Sequence, residues 1–502
     1  DLQEEIGMVS KILVDKTNNH DVQKQKLEES LYMLLCIPGA CPRHILAALG
    51  CLQAKNMVMQ SKSFGLDAAF VQSCKTGLNP GQSNAWQYML SSPLSVVVGP
   101  PGTGKTTVIS AVTKAWLWLA TSGETLVCAA HQNVAVRHMA ETMAKERIPG
   151  LLMLVSADYY EGWHEEEYSA QKEILVVSGS AQATAESIES WVARNGGQPP
   201  RVLLCTLGLI GNDSFHASLM GTRVSAMIID EGSQAGEGSL IPSLGALPHL
   251  QMLSVVGDPC QLPPYGCRQR PIRSVFDLLA QTCEIHVLQE QYRMPYRIAQ
   301  FVSAEFYGGT LHTDVKKMRQ DSDMALMWVD VTGKVEIATS GTSLSNREEA
   351  EAIIEWCQAR KRYNGGRSMP RGKVVVLTLY EAQRSLISGM LDEQGMGEEI
   401  IAYNADSFQG QEADVVLVSL VVGAWVSSFA ADRRRACVLL SRAKHELHLF
   451  GNLEAIQGKF STLKHSTENS NIWTTLAEYC MQHGWVANRC NLELLAHSFG
   501  YI

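Results

Sequence analysis

The sequence predicts an α/β protein built on parallel sheets, and two observations carry that expectation. Apolar runs of strand length alternate with stretches of helical composition along most of the chain. One junction, Ser95-Val96-Val97-Val98 followed by Gly99-Pro100-Pro101-Gly102-Thr103-Gly104-Lys105-Thr106, has the strand, glycine-rich turn and helix start of a phosphate-binding loop. The chain has 502 residues, enough for two to four domains, and its 46% hydrophobic and 19% charged content suits soluble domains with sizeable cores.

In chain order, residues 2–14 and 22–35 carry apolar residues at helical spacing until Pro38 and Pro42 interrupt them, so 1–77 is expected to be a helical N-terminal segment. The turn signal Leu78-Asn79-Pro80-Gly81 opens the first α/β unit, 78–284, with candidate strands at 95–98, 125–129, 201–205, 226–230 and 253–257. An insertion at about 137–200 reads as helical, is acidic at Glu165-Glu166-Glu167, and closes on the loop residues 195–200. The second α/β unit is expected over 285–455, with strands at 285–288, 373–378, 399–403, 414–420 and 446–451. A helical tail, 456–502, follows.

Composition excludes several classes. The longest apolar run, 415–426, is too short to span a bilayer and contains Ser419 and Gly423. Asp1 opens the chain with no signal-like segment, and removal of a targeting peptide stays open. The 13 cysteines are scattered, odd in number and nowhere spaced Cys-x-x-Cys, which argues against a zinc module or a disulfide framework and for a reducing compartment, cytoplasmic or nuclear. With a formal net charge of −9, a nucleic-acid binder would have to concentrate its positive charge in a groove. Four basic runs offer such charge: Arg268 and Arg270 with Arg273, Lys316-Lys317-Met318-Arg319, Arg360-Lys361-Arg362 and Arg433-Arg434-Arg435, each open also to the reading of a solvated face.

The chemistry of the phosphate loop follows from its residue types. Gly99, Gly102 and Gly104 let the backbone turn tightly and point N–H groups at an anion, and the helix start adds partial positive charge. Lys105 reaches the outer phosphates, and Thr106, followed by Thr107, supplies a magnesium ligand. Met227-Ile228-Ile229-Asp230-Glu231 places two carboxylates at a strand end, where open α/β sheets bind ligands. Asp230 is expected to hold magnesium and Glu231 to accept a proton from the attacking water. Gln261, in the loop after 253–257, is an amide suited to a γ-phosphate, with an ordinary β-turn as the bland alternative.

These stretches resemble motifs I, II and III of superfamily 1 helicases: Gly-Pro-Pro-Gly-Thr-Gly-Lys-Thr, then Asp-Glu-Gly-Ser-Gln-Ala at 230–235, then Gly-Asp-Pro-Cys-Gln-Leu-Pro-Pro at 257–264. The resemblance continues in the family's order, and it is to the up-frameshift-like branch. Gln289-Glu290-Gln291-Tyr292-Arg293-Met294 contains its Gln-Tyr-Arg-Met signature, and Thr378-Leu379-Tyr380-Glu381-Ala382-Gln383-Arg384 is similar to its Thr-Pro-Tyr-Glu-x-Gln-Arg. Asp406-Ser407-Phe408-Gln409-Gly410-Gln411-Glu412 looks like motif V, Leu440-Ser441-Arg442-Ala443-Lys444 like motif VI, and Gln82 like the Q motif.

The resemblance spans about 78–452 and implies two tandem RecA-like P-loop domains, ATP and Mg2+ as cofactors, and single-stranded nucleic acid as partner, RNA favoured over DNA. It also implies 5′ to 3′ movement by a monomer. By position, Gln82 reads the adenine edge, Tyr292 stacks on the base and Glu412 contacts the ribose. Thr103 belongs to the phosphate cradle. Arg293 and Arg442 act as arginine fingers, whose planar guanidinium suits the spread charge of a transferring phosphoryl group. Gln132, Asn133, Thr206, Thr378 and Ser407 occupy the places that contact the nucleic-acid backbone.

The sequence departs from the family in three places. His131 and Gln132 replace a Pro-Ser pair in motif Ia. Cys437-Val438-Leu439-Leu440 replaces Asn-Val-Ala-Leu before motif VI. The β-barrel insertion common in the family has no counterpart in 1–77, whether through natural absence or trimming. Two other readings stay in play, a nucleotide-gated RNA clamp or scaffold that unwinds weakly and an AAA+ remodelling ATPase. The 125 positions between Lys105 and Asp230 are long for the second.

Overall fold

The computed structural model describes residues 74–161, 171–264, 273–280, 283–319, 322, 324–338, 341, 343–363, 373–422, 429–458 and 471–493. Most of the expected N-terminal helical segment, the acidic run 165–167, the basic residues 268 and 270 and the end of the tail lie outside these. Two compact units emerge, the second beginning at Gln289 but also including 101–103 and 260–262.

The first unit is an eight-stranded sheet of β1 (Leu94–Val98), β2 (Glu124–Ala130), β3 (Leu151–Ser156), β4 (Leu175–Ser178), β5 (Val202–Thr206), β6 (Arg223–Asp230), β7 (Met252–Gly257) and β8 (Ile285–Val287). Their spatial order is β4-β3-β5-β2-β6-β7-β1-β8 and every pairing is parallel. The central strands are buried along nearly their whole length, which is why they read as continuous apolar runs rather than alternating ones. Apolar clusters cover both faces: one gathers Val96, Val127, Leu203, Met227 and Val255 with Trp191 and Phe215, the other Val97, Leu126, Leu204, Ile228 and Val256 with Val108, Val112 and Met139.

Two expectations for this unit need correction. The segment at 137–200 is not helical throughout, since β3 and β4 extend the sheet on its outer side. Leu151-Leu152-Met153-Leu154-Val155 is an apolar run that periodicity alone does not separate from a buried helix. The strand expected to open the second unit instead pairs with β1, Val96 opposite Ile285, and the second unit begins at Gln289.

The second unit carries a small parallel pair, β9 (Glu290–Gln291) with β10 (His312–Thr313), and a six-stranded parallel sheet. Its strands are β11 (Leu326–Asp330), β14 (Val374–Thr378), β15 (Ile401–Asn404), β16 (Ala413–Ser419), β17 (Ala443–Gly451) and β18 (Val486–Asn488), in the order β15-β14-β16-β17-β11-β18. A short antiparallel hairpin, β12 (Val335–Ile337) with β13 (Leu344–Asn346), precedes the long helix Arg347–Tyr363. The tail is not purely helical: the helix Ile472–Gln482 returns the chain to β18, which closes the β11 edge of the sheet. Arg489 just beyond it forms ion pairs with Glu351 and Glu355 on the long helix.

Candidate functional site

In the first unit the phosphate loop leaves β1 and enters the helix Lys105–Leu119. Gly99 donates its N–H to Gly257 O at 2.9 Å, which fixes the loop to the end of β7. Gly104 sits at the helix N-cap with φ +80°, a conformation open to glycine, and a Cβ there would stand 2.5 Å from Gln82 Nε2. Lys105 Nζ donates to Gly99 O at 3.0 Å and lies 3.8 Å from Glu231 Oε1. Thr106 is half-buried and Thr107 exposed.

Asp230 ends β6 and is almost wholly buried, as is Glu231 after it. β7 stands between β1 and β6, so the loop strand and the carboxylate strand are one strand apart. Asp230 Oδ1 accepts the Glu231 N–H at 2.9 Å. Burial, with the Glu231 charge beside it, pushes the Asp230 carboxyl well above the usual carboxylate range, against the pull of Lys105. Two buried carboxylates facing one lysine leave a surplus of negative charge, which a divalent cation would balance.

Gln82 does more here than its family match implies. It is the third residue of the helix Pro80–Ser91, where its Oε1 accepts the Asn79 N–H at 3.1 Å and its own N–H bonds Asn79 Oδ1 at 2.7 Å. This capping box holds the helix start and leaves Nε2 against Gly104. Gln132 and Asn133 stand at the N-terminus of the helix Asn133–Lys145, and Thr206 at the end of β5, all half-buried. These three lie at the carboxyl ends of their strands, the same edge as the phosphate loop.

In the second unit, Gln291 organises the segment carrying Tyr292 and Arg293. Its fully buried side chain accepts the N–H groups of Arg293 and Met294 at 2.9 and 2.7 Å and donates to Met294 O and Thr313 Oγ1, both at 3.0 Å. Sequence reasoning gave Gln291 no role, although it stands within the Gln-Tyr-Arg-Met signature. Tyr292 is exposed, and its N–H bonds Gly102 O at 2.9 Å. A Cβ on Gly102, whose φ is +74°, would stand 2.7 Å from Arg293 Cβ, so this glycine is required both by its conformation and by a close approach. Thr103 is buried.

Arg293 Nε pairs with Glu412 Oε2 at 2.6 Å and its Nη1 donates to Ser441 O at 3.2 Å. Lys444 Nζ lies 2.8 Å from the other Glu412 oxygen. Burial would raise the Glu412 carboxyl, but Arg293 and Lys444 outweigh it and hold it at about 2. Glu412, assigned to the ribose by resemblance, is thus a fixed anion between two cations, and Lys444 is a partner the sequence did not single out. Arg442 is buried. Its Nε donates to Val438 O at 2.9 Å, its Nη1 to Gln411 O at 3.3 Å, and its Nη2 to Ser441 Oγ at 2.7 Å and to Gln261 Oε1 at 3.3 Å. Gln261 is itself buried.

Thr378, expected to touch nucleic acid, is fully buried at the end of β14 with its hydroxyl 3.5 Å from Tyr380 N. In this conformation its hydroxyl faces the following turn. Ser407 is exposed. Most of the described residues of the basic runs have partners within the chain. Arg360 is buried against Glu446, Lys361 pairs with Glu399 and Arg362 with Glu493. Arg433 pairs with Glu305, Arg435 with Asp406 and Arg273 with Glu237, and Lys317 donates to Lys444 O at 2.6 Å. No group of three or more His, Cys, Asp or Glu side chains among the described residues is placed to hold a metal.

A phosphate loop at the end of a parallel sheet, followed by a second unit with a parallel sheet of its own, is the architecture of a P-loop protein with two α/β units. Two family models, each described as an AAA domain, match residues 77–322 and 272–454. The chain is 30% identical over 417 residues to Regulator of nonsense transcripts 1 of Caenorhabditis elegans, covering 76% of this chain and 38% of that protein. It is 29% identical over 425 residues to the ATP-dependent helicase NAM7 of Saccharomyces cerevisiae, covering 75% and 42%. It is 26% identical over 440 residues to the DNA polymerase alpha-associated DNA helicase A of Schizosaccharomyces pombe, covering 76% and 64%. The chain is similar, across both units, to the up-frameshift-like helicases of superfamily 1. It spans less than half the length of the first two relatives and just under two thirds of the third.

Proposed function

We propose that this chain is an ATP-driven motor that moves 5′ to 3′ along single-stranded nucleic acid, RNA in preference to DNA, and uses that motion to separate strands or displace bound proteins. The observation that carries the reading is the buried Asp230–Glu231 pair set against Lys105 at the phosphate loop. The names of the relatives, ATP-dependent helicase among them, support it and favour it over an AAA+ remodeller.

In this reading the backbone of Gly99–Gly104, with Thr103, cradles the phosphates and Lys105 neutralises them. Thr106 and Asp230 would hold Mg2+, which when bound offsets charge on the phosphate oxygens. Glu231 accepts the proton of the attacking water. Gln261 senses the γ-phosphate, and Arg293 and Arg442 stabilise the charge of the transferring phosphoryl group. Gln82 uses Nε2 for the adenine edge while its oxygen keeps the helix cap. Tyr292 presents its exposed ring to the base. Glu412, held between Arg293 and Lys444, keeps acceptor capacity on both oxygens for a ribose hydroxyl. Gln132, Asn133, Thr206 and Ser407 line the strand, through groups that bind backbone without reading sequence.

The test is ATP turnover and strand displacement measured side by side on RNA and DNA with tails of both polarities. Stimulation by single strands, with displacement from a 5′ tail and RNA ahead of DNA, is expected. A turnover rate indifferent to RNA and DNA alike would overturn the motor reading. Stimulation without displacement would favour a nucleotide-gated clamp.

A further inference from the structure

Ser407 and Arg442 belong to two stretches of sequence that the second unit ties together at both ends. At one end Arg442 Nη1 donates to Gln411 O at 3.3 Å, and Gln411 Nε2 returns to Ser407 O at 3.2 Å. At the other end Arg435 meets Asp406 in a two-pronged pair, Nε to Oδ1 at 3.0 Å and Nη2 to Oδ2 at 2.9 Å. Arg435 Nη1 also reaches Asp432 Oδ2 at 3.2 Å, and its guanidinium lies 4.1 Å over the Phe429 ring. Between these two ties, Ala405 and Phe408 pack into the same apolar cluster as Ala436, Leu439 and Leu440.

The position of Arg435 makes this arrangement informative. It stands in the first turn of the helix Arg433–Leu440, where the helix dipole disfavours a cation. The side chain is only 13% exposed, so its charge is not simply solvated. Its planar fork is matched to one carboxylate, a geometry lysine does not reproduce. The fork ties the 3-10 turn Ala405–Phe408, which carries Ser407, to the helix that leads directly into Arg442.

We propose that Arg435, with Asp406, is a positioning residue that makes the Ser407 segment and Arg442 move as one body, so that a strand bound at Ser407 sets the place of Arg442. This rests on the motor reading above. Neither Arg435 nor Asp406 touches nucleotide in this account.

The experiment compares ATP turnover with and without a single-stranded RNA oligonucleotide for wild type, R435A, R435K and the exchanged pair D406R/R435D, with melting temperature as the control for folding. R435A is expected to keep RNA-free turnover and the ATP KM within about twofold, and to lose about tenfold of the RNA stimulation, a usual size for coupling between sites. R435K, which keeps the charge and the stem over Phe429, is expected to fall between R435A and wild type, and it carries the test if R435A does not fold. The exchanged pair is expected to recover part of the lost stimulation. Full stimulation in R435A or R435K overturns the link, as does an equal loss of basal and stimulated turnover at an unchanged melting temperature. Wild type unresponsive to RNA and DNA overturns the motor reading and this link with it, whereas a responsive wild type beside an equally responsive R435A overturns the link alone.

Discussion

Replacing Glu349 with Gln tests how the second unit holds a charge in its core. Glu349 is fully buried in the first turn of the helix Arg347–Tyr363. One carboxylate oxygen accepts Ser419 Oγ at 2.7 Å and Val421 N at 2.8 Å, and the other accepts Val422 N at 3.0 Å and Asn346 Nδ2 at 3.1 Å. Burial outweighs these bonds and pushes the carboxyl from its ordinary 4.5 up to about 7. A carboxyl whose folded pKa is raised adds stability in full below its unfolded pKa and loses it as pH rises through the folded one. At about 1.4 kcal/mol per pKa unit, the rise from 4.5 to about 7 corresponds to roughly 3 kcal/mol lost between those two pH values. In E349Q the amide N–H2 meets donors while the buried charge disappears, so its absolute effect combines opposing contributions. The pH dependence of the difference between wild type and variant does not, and it cancels other titrating groups, including Asp230, whose carboxyl is also raised. Hydrogen exchange of the β16 amides, read as an opening free energy from pH 4.5 to 8, measures it within the second unit. The wild-type advantage is expected to shrink by roughly 3 kcal/mol across that range. A difference constant within about 0.5 kcal/mol, or one that grows with pH, refutes the reasoning.

Three further outcomes are expected. E231Q should lower ATP turnover by about 10² to 10⁴, the usual contribution of a general base, while binding of a fluorescent ATP analogue stays within about threefold; wild-type turnover would remove Glu231 from its role. G104A should abolish tight binding of the same analogue, since its φ of +80° costs a side chain on the order of 1 kcal/mol or more and the new Cβ meets Gln82 Nε2; Q82A/G104A should recover only part, because the backbone strain remains. R442A should cut turnover by about 10³ or more and also lower the melting temperature, because Val438 O and Gln411 O lose a donor; unchanged melting with lost turnover would show that those bonds hold nothing together.

In the first sheet the middle strands β1, β2, β5, β6 and β7 were legible because both their faces are buried, so they stand as apolar runs between turn signals. Its outer strands were not, and in the second sheet the buried interior strand β11 was missed although the edge strand β15 was expected. β3 and β4 sit in a stretch whose surroundings are helical, and Leu151–Val155 is equally apolar in either state. β8 has exposed Ile285 and Val287 and belongs to the first sheet through its register with β1, which no local signal encodes. In the site, the placement of residues marked by glycine and carboxylate spacing could be read directly, as with Gly104 and Lys105 after β1 and Asp230 and Glu231 at the end of β6. What could not be read was which polar side chains hold one another. Glu412 shows this, since its residue type suits a ribose, but only the fold brings Arg293 and Lys444 to its two oxygens. Thr378 shows it too, because a hydroxyl at a strand end reads the same whether it faces a groove or the core.

The two glycines at the ends of β6 and β7, Gly232 and Gly257, have one explanation rather than two. Glu231 holds φ +51°, a conformation a side chain rarely adopts, at a cost on the order of 1–3 kcal/mol. The strain is sustained by what surrounds it: Asp230 Oδ1 accepts the Glu231 N–H, Gly232 N donates to Val256 O at 2.9 Å, and Gln234 N donates to Glu231 O at 2.9 Å. A Cβ on Gly232 would run into Val255 Cγ1, and a Cβ on Gly257 would stand 3.0 Å from the N atoms of Gly232 and Ser233. The ends of β6 and β7 therefore approach closely, leaving no room for a Cβ on Gly232 against the stiff Val255 side chain and little for one on Gly257 against the backbone after β6. That contact turns the chain sharply after Asp230 and leaves Glu231 beside Lys105. Asp-Glu-Gly and Val-Val-Gly-Asp, which stand apart in sequence, are the two halves of the joint that sets Glu231 beside Lys105.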